Sequence, residues 1–334
     1  MSPLSATRRQ FLSASLGLGA ALTGHAAPAP LADLHWAERT WLGLGTTLSL
    51  RAAHRDPARL DEALDAAVAR TRQIEAQMSL FQPDSALSQL NRQGRLRQPP
   101  ADLLRVLRLA QQVSARSGGR FDASVQPLWL RYADAQQQGR LPTAAEVARA
   151  RALVGWRGLS VSADALQLAR PGMGLTLNGI AQGYAADAAR ATLQAHGVAH
   201  ALINTGEWTA LGQPEAGRPW RLGVEDPLHP GQTLLPLALD GRSVATSADN
   251  ACSFSPDHRH HHIFDPQTGD SPPELAGVSV AAPSCALADA LTKVMFVAGP
   301  TLALRLARVW QVDVLLIDKQ GRWQATPGMA LVRA

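Results

Sequence analysis

Four histidines lie between residues 258 and 262, a density that suggests metal binding or proton transfer. Imidazole is the most common transition-metal ligand. In a β-strand, however, His260 and His262 share one face and His261 takes the other, so these three side chains do not converge on one ion. We interpret His258 and His260 as an exposed polar strand end. His262 differs because an apolar pair follows it, and a histidine held at the edge of a core is a candidate general base.

Asp289 stands at the start of a predicted helix, in the segment 288–294, Ala-Asp-Ala-Leu-Thr-Lys-Val. A carboxylate there can simply cap the helix, because it meets the positive end of the helix dipole. It can also bind a hard cation, since Mg²⁺ takes one or two carboxylates and then phosphate oxygens. The sequence contains no HExxH, GxSxG, Walker or CxxC motif. It therefore gives no support to a hydrolase or a P-loop enzyme of those types.

The segment 177–187, Leu-Asn-Gly-Ile-Ala-Gln-Gly-Tyr-Ala-Ala-Asp, has the form of an anion site. It follows a strand-like run and begins a helix-like one that stops at Gly197. The first N–H groups of a helix lack intrahelical partners and lie at the positive end of the dipole. Gly179 and Gly183 would let a ligand approach the backbone closely. A plain packing turn is the alternative interpretation.

The elements that must position these residues belong to an α+β fold, a single large domain in which helices flank a mostly antiparallel sheet. Strands and helices neither alternate strictly nor separate into halves, and no linker divides the chain. We expect a loop at 80–95, where turn residues cluster. The predicted helices are 57–78, 102–116, 144–153, 182–195, 286–297 and 301–310. The predicted strands are 42–51, 159–163, 166–169, 174–178, 199–204, 220–224, 234–238, 277–282, 312–317 and 321–324.

The N-terminus has the layout of an export signal. Arg8-Arg9 precedes Phe11-Leu12 and an apolar run that ends in small residues before Pro28. Adjacent arginines in this context are typical of a twin-arginine signal peptide. The apolar run is shorter than the ~20 residues that span a bilayer, and no later segment reaches that length. We expect a signal peptide at 1–26, a mature domain at 31–334 and a periplasmic location.

The composition limits the remaining classes of function. Of the 334 residues, 46% are hydrophobic and 18% charged, which suits a globular protein with a substantial core. The net charge of +5 is diffuse and aromatic residues are 5%, without the basic and aromatic groove that single-stranded nucleic acid needs. We expect no nucleic-acid partner. Cys252 and Cys285 are too few for a zinc cage or an iron–sulfur cluster, and the spacing does not decide whether they pair.

Six motifs occur in order from about residue 40 to the C-terminus. They are Met78-Ser-Leu-Phe-Gln-Pro-Asp-Ser85 with Leu90-Asn91, Gly119-Arg-Phe-Asp122, Asn178-Gly-Ile-Ala-Gln-Gly-Tyr184 with Asp187, Val244-Ala-Thr-Ser247, His262-Ile-Phe-Asp-Pro-Gln-Thr-Gly269 and Ala288-Asp-Ala290. Together they resemble the FAD:protein FMN transferase family, the ApbE-type flavin transferases. The resemblance implies a T-fold-like domain that moves FMN from FAD to a threonine or serine hydroxyl of an acceptor flavoprotein and releases AMP.

The resemblance also assigns residues by position. It makes His262 the base on the acceptor hydroxyl and gives Asp289 a catalytic role. It places Mg²⁺ at the backbone carbonyl of Ala181 and the carboxylate of Asp289, with Thr292 as a candidate third ligand. It implies FAD contacts from Leu44, Phe81, Arg120, Phe121, Asp122, Asn178, Tyr184 and Phe264.

The sequence departs from the family pattern at three places. Gln182 stands where a lysine is common, and Gly206-Glu207 replaces a Gly-Gly-Asp strand end. Lys293 stands where the family has a threonine metal ligand, and a protonated lysine does not ligate Mg²⁺. We hypothesise altered metal dependence, with the ammonium group in the cation's place. Two other functions stay open, an FAD carrier without transferase activity and an FAD pyrophosphatase.

Overall fold

An eight-stranded antiparallel sheet is the centre of the fold in the computed structural model, which describes Leu12–Ser13 and residues 33–332. In chain order the strands are β1 (Leu12–Ser13), β2 (His35–Gly43), β3 (Thr46–His54), β4 (Arg95–Arg97), β5 (Leu159–Val161), β6 (Ala165–Leu168), β7 (His200–Asn204), β8 (Trp208–Leu211), β9 (Arg221–Glu225), β10 (Thr233–Ala238), β11 (Ser243–Ala248), β12 (Leu275–Ala282), β13 (Asp313–Asp318) and β14 (Trp323–Ala325). The large sheet has the order β14-β13-β12-β11-β8-β7-β3-β2. Two three-stranded sheets, β1-β9-β10 and β4-β6-β5, accompany it. The α+β prediction is confirmed.

Helices and a second layer of strands cover the sheet. The helices are α1 (Pro57–Met78), α2 (Ala86–Gln93), α3 (Ala101–Arg116), α4 (Gln126–Gln137), α5 (Ala144–Arg151), α6 (Ala181–Ala195) and α7 (Cys285–Trp310). Of these, α1, α6 and α7 pack on one another and on the sheet. A separate apolar cluster joins Trp208 of the large sheet to Trp220 and Leu222 at β9. The apolar alternation of the strands explains this arrangement, because residues on opposite faces need separate cores.

Local sequence signals set the bounds of the long helices. Asp56 accepts the backbone N–H of Ala58 at 2.9 Å, and Pro57 occupies the first helical position, so α1 begins as predicted. Within α7, Gly299 has φ of 70° and Pro300 follows it. The backbone is not helical at Gly299, so α7 consists of two helical segments, in agreement with the predicted helices 286–297 and 301–310.

Two predicted strands differ from the structure. The run 42–51 is a hairpin, in which Leu44 and Gly45 form a two-residue turn with φ of 50° and 79°, the signature of a type I′ turn. The run 174–178 is extended but pairs with no strand. Instead, the side chain of Asn91 donates to the carbonyl of Leu175 and accepts its N–H, both at 2.8 Å. Helices α2 and α4 were not predicted, and α2 occupies part of the expected loop.

In the described part of the chain, α7 alone is long and apolar enough to cross a membrane by length and composition. A little over half of its most apolar window is buried in the protein. Since α7 packs on α6, β11, β12 and β13, it is a core helix of this fold.

The predicted signal peptide, residues 1–26, lies outside the described residues except for Leu12 and Ser13. Those two residues pair with β9. Cys252 and Cys285 do not form a disulfide.

Candidate active site

Six segments of the chain line one cavity. They are the β2–β3 turn, the end of α1, the loop from α3 into α4, the start of α6 with the loop before it, residues 252–264 and α7. Counted out to the solvent at its mouth, the cavity encloses about 1360 Å³. Part of this volume is open to solvent, so the cavity is a cleft that a ligand can enter from the surface.

Aromatic rings form much of the cavity wall. Phe121 and Phe264 are buried, and Phe81 at the wall keeps 59% of its surface exposed. The ring of Phe264 stacks on Phe254 with centroids 6.1 Å apart and packs on Tyr132 at 5.1 Å. Rigid aromatic surfaces of this kind suit planar ring systems in a ligand.

His262 lines the cavity and has a defined tautomer. Its Nδ1 lies 3.1 Å from the carbonyl oxygen of Cys252. Because a carbonyl only accepts, Nδ1 carries a proton, and Nε2 is the nitrogen that can take up another one. The backbone N–H of His262 donates to the same carbonyl at 3.0 Å and fixes the residue further. An imidazole held in this way can take a proton from a hydroxyl group in the cavity.

The preceding histidine has a structural role. The wholly buried His261 donates from Nε2 to the carbonyl of Pro272 at 3.2 Å and accepts the N–H of Ile263 at 3.4 Å. Burial lowers the pKa of His261 to about 3, so the ring is neutral. The segment is a turn rather than the expected exposed strand end, and His258 and His260 are half-buried in it. No group of three or more His, Cys, Asp or Glu in the described residues is arranged to hold a metal.

The start of α6 lies at the cavity wall, but most of its amides already have partners. The N–H groups of residues 180 and 181 both donate to the carbonyl of Leu177, at 3.0 and 2.8 Å. That of Gly183 donates to the carboxylate of Asp289 at 3.1 Å, and that of residue 184 to the carbonyl of residue 180. The predicted cradle of amides for a phosphate is therefore wrong for these four. A carboxylate of the protein itself meets the positive end of the dipole.

Gly183 has a packing role instead of the predicted contact with a ligand. A Cβ at this position would lie 2.3 Å from the carbonyl oxygen of Cys285, so only glycine lets α6 and α7 approach this closely. One turn later, Asp187 accepts the N–H groups of Cys285 at 2.8 Å and Ala286 at 3.0 Å. That carboxylate stabilises the first turn of α7. The two contacts fix the position from which α7 presents its side chains.

The side chain that α7 presents to the cavity is Lys293. Its Nζ lies 2.5 Å from Oδ1 of Asp289 and 3.1 Å from the backbone carbonyl of the same residue. Asp289 is wholly buried beneath it and does not line the cavity. Thr292 faces Ser247, whose hydroxyl is 2.8 Å away, and donates to the carbonyl of Asp289 at 2.6 Å. The side chains of Asp289 and Thr292, two of the three predicted magnesium ligands, are thus engaged with protein partners and do not fit Mg²⁺ as they stand.

Residues 44–316 match the ApbE family. The chain belongs to this family. It is 31% identical over 314 residues to the FAD:protein FMN transferase of Treponema pallidum (strain Nichols), which covers 87% of each chain. It is 28% identical over 287 residues to the protein of the same name from Vibrio cholerae serotype O1, with 83% of this chain and 85% of the other covered.

Solved structures of ApbE proteins share the fold. The flavinyl transferase ApbE of Pseudomonas stutzeri superposes with a TM-score of 0.74 at 27% identity, over 88% of this chain and 96% of that one. The ApbE protein of Thermotoga maritima gives a TM-score of 0.78 at 23% identity, over 88% and 97% respectively. The second likeness concerns the fold alone.

The structure brings together most of the residues that the ApbE resemblance assigned. Their role in binding stays a prediction, but their convergence on one cavity comes from elements as distant in sequence as the β2–β3 turn and α6. The assigned residues that line the cavity are Leu44, Phe81, Arg120, Phe121, Asp122, Asn178, Ala181, His262 and Phe264.

Tyr184 is the assigned FAD contact that does not line the cavity. Its hydroxyl donates to Oδ1 of Asp102 at 2.6 Å, and Asp102 also holds a bidentate pair with Arg70 at 2.6 and 2.7 Å. Arg70 chiefly lowers the pKa of Asp102 to about 2. The tyrosine therefore belongs to a network that ties α6 to α1 and α3.

Two polar residues of the ApbE motif at 119–122 shape the wall. Arg120 donates to the carbonyl of Ser117 at 2.8 Å. Asp122 accepts the N–H and hydroxyl of Ser124 and the N–H of Trp156 at 2.7 to 2.8 Å, while burial raises its pKa. Asp122 thus holds the loop that carries Phe121.

Gln126, Trp129 and Cys252 are among the wall residues that the sequence did not indicate. Gln126 and Trp129 lie on α4, which was not predicted. The proline after Gln126 is a signal that could have located its start, because Pro favours the first helical positions. No comparable signal marks Cys252.

Proposed function

We propose that this protein is an FAD:protein FMN transferase that moves FMN from FAD to a threonine or serine hydroxyl of an acceptor flavoprotein. Its membership of the ApbE family and the names of its relatives support this function. The observation that carries the proposal is the position of His262, a base of defined tautomer in an aromatic cavity.

The chemistry is a phosphodiester exchange. The acceptor oxygen attacks the phosphorus of the FMN half, and its proton passes to Nε2 of His262. The bond from that phosphorus to the bridging oxygen breaks, and AMP leaves with the oxygen and its electron pair. Aromatic residues such as Phe121 and Phe264 would orient the rings of FAD. Arg120 and Lys293 are the arginine and lysine side chains among the described lining residues, and they would stabilise the phosphate charge.

The test uses purified protein, FAD and a candidate acceptor domain. Covalent flavin is detected as fluorescence of the denatured acceptor, and AMP is measured by chromatography. We expect flavin on the acceptor and one AMP for each transfer. AMP without labelled acceptor would indicate a pyrophosphatase, and FAD binding without AMP would indicate a carrier.

His262→Ala and His262→Gln should retain FAD binding and lose about 10²- to 10⁴-fold in the rate of transfer, the usual contribution of a general base. His260→Gln is the matched control, because His260 belongs to the same segment but does not line the cavity. Full transfer by both His262 variants would refute the role of this residue as the base.

We also propose export to the periplasm by the twin-arginine route, with a periplasmic or membrane-bound electron-transfer flavoprotein as the acceptor. The support is Arg8-Arg9 followed by Phe11-Leu12 and small residues before Pro28. Fusion of residues 1–30 to a folded reporter should export the reporter. Replacement of both arginines by lysine should retain it in the cytoplasm, and continued export would contradict the proposal.

A further inference from the structure

We propose that Lys293 supplies the positive charge that binds the pyrophosphate of FAD, and that binding and transfer need no divalent cation. This inference rests on the proposed function, since it concerns how the same cavity holds its substrate. In this proposal, the ammonium group of Lys293 neutralises the phosphate charge that a bound metal ion would otherwise neutralise.

The geometry around Lys293 gives the first argument. An ammonium group has three N–H donors and accepts nothing. The ammonium group of Lys293 contacts Asp289 twice, at Oδ1 at 2.5 Å and at the backbone carbonyl at 3.1 Å. The side chain of Asp289 has no exposed surface, whereas that of Lys293 keeps 14% and lines the cavity. The lysine therefore presents a charge to the cavity that a buried carboxylate holds in place.

The glycine opposite this lysine gives the second argument. A Cβ on Gly179 would lie 3.1 Å from Cε of Lys293 and 3.4 Å from Cδ. The stem of the lysine thus passes directly over the turn that precedes α6. The ammonium group comes to lie beside the start of α6, where Asp289 accepts from both Lys293 and the N–H of Gly183.

The start of α6 itself offers a phosphate few free N–H groups and no charged side chain. Four of its amides donate within the protein, one of them to the carboxylate of Asp289. Gln182 is uncharged, and its Nε2 donates to the carbonyl of Leu44 at 3.1 Å. A pyrophosphate carries two negative charges, so its binding requires positive charge in the cavity. Of the two Lys and Arg side chains that line the described cavity, Arg120 donates to the carbonyl of Ser117, and Lys293 is the one that lies beside the start of α6.

The oxygens of Asp289 and Thr292 are poorly placed to bind a divalent ion. Mg²⁺ requires oxygen ligands at about 2.0–2.1 Å in near-octahedral geometry. Of the oxygens of Asp289, one is held by the ammonium group and the other accepts the N–H of Gly183. Thr292 is turned to Ser247. An entering Mg²⁺ would have to displace a paired ammonium group, which would leave two cations beside each other.

The sequence contains a matched control. The chain has 30 arginines but only two lysines, Lys293 and Lys319. Lys319 also pairs with a carboxylate of low exposure, that of Asp249, but it does not line the cavity. If Lys293 only neutralised Asp289, the two lysines would be equivalent. Removal of either charge would then affect folding and not the ligand.

The experiment measures the Kd of FAD and of riboflavin, which lacks phosphates, by flavin fluorescence with EDTA or with added Mg²⁺. For the natural protein we expect FAD affinities that agree within twofold in the two conditions. Lys293→Met should weaken FAD binding at least tenfold and leave riboflavin binding within twofold. Lys319→Met should leave both affinities within twofold.

Asp289→Asn/Lys293→Gln removes both charges and is the second variant if Lys293→Met does not fold. It should also lose FAD affinity at least tenfold. Titration with Mn²⁺, followed by electron paramagnetic resonance in the presence of FAD, should show no stoichiometric ion in the natural protein. The rate of FMN transfer should be the same in EDTA as with added Mg²⁺.

Each contrary result is distinct. A tenfold loss of FAD affinity in EDTA, or one Mn²⁺ bound per protein, would overturn the inference and leave the proposed function standing. Equal effects of Lys293→Met and Lys319→Met on FAD would reduce Lys293 to a structural partner of Asp289. Absence of any FAD binding by the natural protein would overturn the proposed function and the inference with it.

Discussion

Gly183 and Cys285 lie so close that a Cβ on the glycine would be 2.3 Å from the cysteine carbonyl oxygen. This contact joins the first turn of α6 to the first turn of α7. The start of α6 belongs to the cavity wall, and α7 carries Lys293 into it. The approach of the two helices therefore determines the shape of the site.

Gly183→Ala should destabilise the protein. Alanine is the better helix former by about 1 kcal/mol, but here the backbone of Cys285 must move, and overpacking typically costs about 1–3 kcal/mol or more. We expect a net loss in the free energy of unfolding, measured by denaturant titration. Gly179→Ala is the control, because its Cβ would meet only side-chain carbons, at 3.1 Å or more. An unchanged midpoint for Gly183→Ala would show that the helices separate without cost.

Tyr184→Phe separates the assigned FAD contact from the network seen in the structure. The variant loses the hydrogen bond from the hydroxyl to Asp102 and should lower the free energy of unfolding by about 1 to 2 kcal/mol. Because Tyr184 does not line the cavity, the Kd of FAD should stay within twofold. A tenfold weaker Kd with unchanged stability would place the tyrosine in the binding site after all.

The sequence indicated the long, capped elements well. Helix α1 was predicted with its observed bounds, since Asp56, Pro57 and a regular apolar spacing all agree there. The β2–β3 turn was missed because Leu44 at positive φ is not a residue that signals a type I′ turn. The run at 174–178 was misjudged because its partners are the side chain of Asn91 and the backbone carbonyl of Ala123, both distant in sequence and neither in a strand.

In the candidate site, too, the features set by local motifs were predicted and those set by distant partners were not. His262, Phe121 and Phe264 were identified from motifs, and the structure places them in one cavity. The engagement of the Gly183 amide could not be predicted from the sequence, because its partner Asp289 lies on another helix. Tertiary packing explains why two further predicted site residues do not line the cavity. Tyr184 and Thr292 have residue types that suit a ligand, but tertiary partners turned both away from the cavity.

The buried His261 predicts a pH dependence of stability. Its folded pKa of about 3 lies below the ordinary value of 6.5, so between these pH values the unfolded chain binds a proton that the folded protein does not. Stability from this group is complete above pH 6.5 and falls as the pH drops towards 3. The expected loss between pH 7 and pH 5 is about 2 kcal/mol.

The measurement is the free energy of unfolding by denaturant at pH 7 and pH 5. His261→Gln should remove this part of the slope, whereas the control His229→Gln should retain it, since His229 is largely exposed. A natural protein with equal stability at the two pH values would contradict the neutral, buried state of His261.

Phe81→Ala tests whether the exposed edge of the cavity contributes to binding. Phe81 keeps 59% of its surface exposed, and its ring lies 3.2 Å from the position of a Cβ on Gly45 in the β2–β3 turn. Loss of an exposed ring should change stability by no more than about 0.5 kcal/mol. Loss of an aromatic contact with a flavin or adenine ring should weaken FAD binding about three- to tenfold. Val309→Ala is the control, because Val309 is 66% exposed and does not line the cavity. Equal FAD affinity in the two variants would mean that the ligand lies deeper, against Phe121 and Phe264, and leaves Phe81 to the solvent.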